Sequence, residues 1–278
     1  MTVLGAVFRP QVAPERLRDV ARAADSAGLE QLWLWEDCFF ESGIASAAAA
    51  LAWTSDVRIG VGLLPVPLRN VALTAMEAAT LYRMFGDRAI LAFGHGVQRW
   101  MGQTGSRVES PLTLLREYLV ALRGLLNGEE VSTDGRYVKL DKISLEWPPL
   151  SPPAIYAGAE GARSLKLCAE VADGTLLTAS SSPERVREVR AYTKSEIVVY
   201  MSAATGPGAA ERLRAEQTAN EDLDKGLGAA GDAQAIADAV HRLVQAGADT
   251  VILQPTPDEP DPVGFVRFVA EEVRPLVR

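Results

Sequence analysis

Cysteine and histidine are scarce in this chain, and long uncharged apolar runs are missing. Cys38 and Cys168 are the only cysteines and form no CxxC pair, which argues against a disulfide framework or a structural zinc knuckle. Both are expected as buried, reduced thiols, since free cysteine packs like a small hydrophobe. The two histidines, His95 and His241, stand apart with no further cluster of ligand types, so no metal site is expected. No apolar stretch approaches the roughly 20 residues that cross a bilayer, and no basic, then apolar, then small-residue leader opens the sequence. A cytoplasmic protein without a membrane partner is the expectation. Basic residues are outnumbered and scattered, and a formal net charge of -8 gives no electrostatic gain against a phosphate backbone. Nucleic acid is therefore not an expected partner.

What is present is the composition of a globular protein, with 48% hydrophobic and 23% charged residues. A length of 278 residues suits one closed α/β barrel over residues 1–278. Apolar, β-rich runs at 3–8, 31–35, 57–63, 88–93, 153–157, 174–178, 196–202 and 250–253 alternate with helical patterns. Eight strands with intervening helices predict a parallel (β/α)8 TIM barrel. The helical patterns cover 15–27, 44–53, 72–85, 111–126, 162–171, 183–192, 232–246 and 262–277. Pro14 starts the first of these and Gly28 follows its end, the usual punctuation. An insertion interrupts the rhythm between the fourth helix and the fifth strand. Residues 131–140 read as a hairpin turning at Asp134 and Gly135, and a proline-rich passage from Trp147 to Pro153 follows; the excursion is long enough for a lid or for inert padding.

In such barrels the chemistry sits at the carboxyl ends of the strands. Glu36 and Asp37 follow the second strand directly; as neighbours they point to opposite faces, unlike two glycosidase carboxylates flanking one bond. One of them lines the site, or else the carboxylate caps the next helix or pairs with an arginine. His95 lies after the fourth strand, between Gly94 and Gly96, where glycines permit close approach to a ligand and the imidazole serves as donor or proton carrier. Its alternative is loop packing. Gly158, Ala159, Glu160 and Gly161 follow the fifth strand and open a helix whose N–H groups and dipole suit a phosphate; a tight turn explains the same glycines.

Read together, these places resemble the luciferase-like monooxygenase superfamily, especially its deazaflavin-dependent, methylenetetrahydromethanopterin reductase-like oxidoreductases. The resemblance is carried by residues 58–70, by Met76, Glu77, Ala78, Ala79 and Thr80, by Gly86 and Arg88 before the fourth strand, and by Ala172-Asp173-Gly174 and Gly247-Ala248-Asp249. It implies a ring in the barrel mouth backed by a bulge with a non-prolyl cis peptide at Gly62-Leu63, with Leu64 and Gly96 beside it. It also implies phosphate contacts from Gly158, Ala159, Glu160 and Gly161, and from Thr178 and Ala179 after the sixth strand. Where many relatives carry Asp-His after the second strand this chain has Glu36 and Asp37, so acid–base work falls to Asp37, Glu36 or His95. The implied activity is hydride transfer between coenzyme F420 and a small organic substrate, with Trp35, Phe39, Phe40 and Trp100 as an apolar wall. An FMN-dependent monooxygenase and a non-catalytic flavin-binding barrel are the alternatives; the resemblance makes a homodimer possible, and the sequence leaves the oligomeric state open.

Overall fold

A computed structural model describes residues 2–219 and 227–277. In chain order its strands are β1 (Val3–Val7), β2 (Gln31–Leu34), β3 (Arg58–Pro65), β4 (Ala89–Gly94), β5 (Val131–Asp134) and β6 (Lys139–Ile143). They continue with β7 (Ile155–Gly158), β8 (Gly174–Leu177), β9 (Glu196–Ala204), β10 (Ala229–Ala230) and β11 (Thr250–Gln254). Strands β1, β2, β3, β4, β7, β8, β9 and β11 pair in parallel, and the β8–β9 and β11–β1 pairings close the ring. This is the predicted eight-stranded barrel. Its strands are apolar nearly throughout because helices cover one face and packed side chains fill the other.

The interior is filled by large side chains meeting across the barrel. Trp33 and Tyr200 pack edge to face at 5.9 Å between ring centroids, and Trp35 meets Tyr200 at 5.7 Å. Strand β3 supplies the room. A Cβ on Gly60 would lie 2.4 Å from Trp33 Cδ2, and one on Gly62 would lie 2.2 Å from the Tyr200 hydroxyl. The Gly-x-Gly of β3 is thus a packing requirement, met where a substituted strand would collide with the aromatic filling.

Outside the barrel run α1 (Leu17–Ser26), α2 (Gly43–Trp53), α3 (Val71–Phe85), α4 (Gln98–Gln103), α5 (Pro111–Leu126) and α6 (Ala162–Val171). They are followed by α7 (Pro183–Tyr192), α8 (Ala209–Ala219), α9 (Ala233–Ala246), α10 (Pro262–Phe268) and α11 (Arg274–Val277). Helix ends follow local chemistry. Asp232 is the N-cap of α9, accepting from Ala235 N at 2.9 Å, and Gly247 ends it at φ 114, so residue 232 stands outside the helix. A 3-10 turn, Pro14–Arg16, precedes α1, and a π turn, Val269–Val273, interrupts the helical run after Pro262. Helices α4 and α8 were not expected from the sequence.

The insertion is the antiparallel hairpin β5–β6, placed between α5 and β7. Glu117 of α5 fastens it by accepting from the backbone N–H groups of Arg136, Tyr137 and Val138 at 2.9, 2.8 and 3.0 Å. Cys168 is buried, and burial pushes its thiol up to about 12. Cys38 is half-buried in the loop after β2, so full burial holds for one thiol of the two. Among the described residues no helix is long and apolar enough to cross a membrane.

Candidate active-site cavity

The carboxyl ends of the barrel strands surround a cavity of about 640 Å³. That size is ordinary for a small-molecule site. None of residues 127–153 borders it, so the hairpin excursion is not a lid over this opening.

The floor is set by β3. Its register against β4 shifts between Val61 and Leu64, and the Gly62-Leu63 peptide is cis, where the family resemblance led one to look for it. A second non-prolyl cis peptide, Cys38-Phe39, was not expected. Gly62 and Leu63 line the cavity. Leu64 does not: it is fully buried in the apolar layer between barrel and helices. The side chain of Leu63 lies over β4 and β7. A Cβ on Gly94 or Gly158 would fall 2.6 or 2.3 Å from Leu63 Cδ2. Glycine at 158 is therefore demanded by the bulge as well as suited to a phosphate.

Past the bulge, Gly158, Ala159 and Glu160 border the cavity and Gly161 lies behind them as the N-cap of α6. No side chain caps that helix start, which leaves first-turn N–H groups to an anion. Thr178, Ala179 and Ser180 border the same end. Thr178 donates to Glu160 Oε1 at 2.8 Å and shares a 2.7 Å hydrogen bond with Ser180. Arg185 binds the Glu160 carbonyl oxygen.

His95 and Gly96 border the cavity just past the end of β4, and Gly96 takes φ +67. His95 Nδ1 is 3.0 Å from the Gly96 carbonyl oxygen. A carbonyl only accepts, so Nδ1 carries the proton, and in the neutral ring Nε2 keeps its lone pair. Val97 stands next to them as a half-exposed apolar residue at the rim.

Glu36 and Asp37 lie past the end of β2 at Leu34 and both border the cavity, so the alternation expected of strand neighbours, with one of the two lining the site, does not hold there. Glu36 is buried and holds Arg69 in a two-pronged pair, at 2.7 and 2.9 Å, while accepting from Gly43 N at 2.8 Å. Burial raises its pKa against the pull of Arg69. Both oxygens are committed, so Glu36 fastens the start of α2 to the α3 side of the barrel. Asp37 faces the cavity, and its carboxylate has no hydrogen bond among the described residues. Its pKa is raised by burial, with Arg9 opposing and Glu41 reinforcing. Tyr200 donates to the Gly62 carbonyl at 3.3 Å, and burial holds its hydroxyl firmly in the neutral form.

Of the expected aromatic wall, Trp35 and Trp100 line the cavity. Phe39 and Phe40 do not; they are 67% and 54% exposed on the loop outside. Among the lining residues not anticipated from sequence are Arg9, Gln11, Glu216 and Gln254. Arg9 and Gln254 carry a usable signal, a polar residue at the end of an apolar strand run. Glu216, in the polar helix α8, carries none. Among the described residues no three His, Cys, Asp or Glu side chains gather to hold a metal.

Comparison with known proteins bears on the fold and the family. The chain is 33% identical over 177 residues to a 5,10-methylenetetrahydromethanopterin reductase of Methanolobus tindarius, a match to 63% of this chain and 54% of that protein. It thus spans about half the length of the curated relatives matched in this way. An F420-dependent secondary alcohol dehydrogenase, solved with an F420-acetone adduct, superposes with a TM-score of 0.86 at 22% identity over 100% of this chain and 99% of that one. The coenzyme F420-dependent tetrahydromethanopterin reductase of Methanopyrus kandleri superposes with a TM-score of 0.84 at 21% identity, over 100% and 99%. These superpositions speak for the fold. The model of one family, described as luciferase-like monooxygenase, matches residues 3–197, and a match over that much of the barrel settles kinship: the chain belongs to the luciferase-like monooxygenase family.

Proposed function

We propose that the cavity binds coenzyme F420 and that the protein is an oxidoreductase passing a hydride between that deazaflavin and a small organic substrate. One observation carries the reading. The β3 bulge offers Leu63 as an apolar platform in the same cavity as the uncapped start of α6, a pairing that suits a flat ring joined to a phosphate. Two solved proteins of the same fold are F420-dependent by name. The residues fit such a ligand: the platform is apolar, the phosphate end offers the N–H groups at the start of α6, and the cavity holds about 640 Å³.

When bound, the deazaflavin supplies the hydride chemistry. The chain supplies position and protons. Leu63, with Leu176 beside it, excludes water from the ring face. His95 presents Nε2 as an acceptor, held in that tautomer by its bond to the Gly96 carbonyl. Asp37, whose pKa is raised by burial and which borders the cavity, is the carboxyl placed to exchange a proton with a substrate oxygen. Glu36 acts by positioning, since its oxygens are spent on Arg69 and Gly43.

The test is a pair of titrations of the purified protein, one with F420 and one with FMN, each read by quenching of ring fluorescence. F420 is expected to saturate a single site at least about tenfold more tightly than FMN, a difference of about 1.4 kcal/mol. Saturation by FMN alone assigns flavin chemistry and overturns the proposal. Binding of neither marks a barrel without cofactor chemistry, which overturns it as well.

A further inference from the structure

One corner of the cavity lies across the mouth from the phosphate end and is not used by the reading above. It is built by β1, β11 and α8. Arg9 follows β1, Gln254 ends the neighbouring β11, and Glu216 reaches in from α8. Arg9 Nη1 donates to Glu216 Oε1 at 3.0 Å, and Gln254 Nε2 donates to the same oxygen at 3.2 Å. The guanidinium sits 4.9 Å from the centre of the Trp35 ring, and its Nε donates to Gln11 at 3.2 Å. The ion pair is deeply buried, with side chains 7% and 5% exposed.

Two polar atoms of this corner stand apart, the second carboxylate oxygen and the Trp35 ring N–H, both buried without a hydrogen-bond partner among the described residues. The oxygen, Glu216 Oε2, belongs to a residue that lines the cavity. Leaving a charged acceptor buried and unsatisfied is costly, more so than for a neutral group. The charge at this corner is already balanced by Arg9, so the deficit is a donor and not a cation. An incoming ammonium would be buried beside Arg9, and an incoming carboxylate or phosphate would face Glu216 and Asp37. A neutral O–H meets neither penalty.

We propose that Glu216 is the specificity-determining residue of the substrate subsite, its Oε2 accepting a hydrogen bond from a hydroxyl of an uncharged substrate. The substrate class is then a neutral hydroxyl-bearing compound, and anionic substrates are rejected. Arg9 and Gln254 position the carboxylate by holding Oε1, so that Oε2 keeps one direction. The inference rests on the oxidoreductase reading for what happens to the substrate, but not for its binding.

Three probes share one ring and differ in the polar head: cyclohexanol, cyclohexanecarboxylate and cyclohexylammonium. Their binding is measured by ligand-observed NMR on the F420-loaded protein and again on protein without cofactor. The alcohol is expected to bind about tenfold more tightly than either charged probe, and Glu216→Gln to weaken the alcohol about tenfold, the loss of one charge-assisted hydrogen bond. F420 affinity of that variant stays at the wild-type value. Equal binding of the three heads, preference for either charged probe, or an alcohol affinity untouched by Glu216→Gln overturns the proposal. Should Glu216→Gln fail to fold, the wild-type series alone decides. Should F420 not bind, the function proposed above falls, while the series on cofactor-free protein still decides this one.

Discussion

At the scale of single residues the two carboxylates after β2 divide the work that their sequence position left open. Glu36 does both things its structural alternatives foresaw: it pairs with an arginine, Arg69, and it holds the start of a helix through Gly43 N. Asp37 keeps its side chain toward the cavity without a hydrogen bond among the described residues, and burial raises its pKa. A carboxyl with a raised folded pKa favours the fold in its protonated form, and that contribution is lost as pH rises through the folded value. Asp37→Asn removes the ionisation. It is therefore expected to be more stable than wild type at pH 7 by about 1 kcal/mol, the usual scale when a strained site residue is relaxed. The gain vanishes below the carboxylate's unfolded pKa, where wild type is neutral too. Thermal melts from pH 3 to pH 8 check the sign. The same variant is expected to lose about 10² in kcat, the low end for removal of a general acid–base group. A stability difference that persists undiminished at pH 3 would assign the effect to packing and not to charge.

Elements show how much sequence pattern can and cannot carry. The barrel strands lie within about two residues of their predicted positions, because a parallel strand buried on both faces is apolar along its length and bounded by polar turns. Helix α8 escaped notice for the converse reason: its stretch, AAERLRAEQTA, is polar and carries one large apolar residue, Leu213. Helix α4 has only six residues, too few for a helical period to emerge. The glycines after β4 and β7 were legible as special, but their reason was not. Gly94 and Gly158 make way for Leu63 from a strand they do not follow in sequence. This gives a test that separates packing from phosphate binding. Gly158→Ala places a methyl 2.3 Å from Leu63 Cδ2 and is expected to cost about 2 kcal/mol through overpacking. In the background of Leu63→Ala the same substitution should cost much less, so denaturant titrations of the four proteins return a coupling of at least about 1 kcal/mol. Strict additivity would mean that Gly158 is needed by its own backbone and not by the bulge.

On the scale of the whole molecule, barrel closure brings the site together. Arg9 and Glu216 meet across 207 residues of sequence, and Tyr200 reaches the Gly62 carbonyl across 138. No local window contains either pair, which is why the Gly62-Leu63 bulge was legible from family resemblance while the Arg9–Glu216 corner was not. A cavity assembled from the ends of so many strands exists only while the barrel is closed, so a ligand held there binds the folded chain and not the unfolded one. Its effect on stability follows from mass action: at a hundred times the dissociation constant, about 2.7 kcal/mol is added. For a chain of this size each kcal/mol moves Tm by about 2–4 °C, so saturating F420 is expected to raise Tm by roughly 5–10 °C. Melts at increasing F420 concentration should shift logarithmically, without a plateau, once the site is filled. A ligand seated instead on a surface patch that survives in the unfolded chain would produce almost no shift. Disruption of the Leu63 platform should flatten the whole series if the ring rests on that surface as proposed.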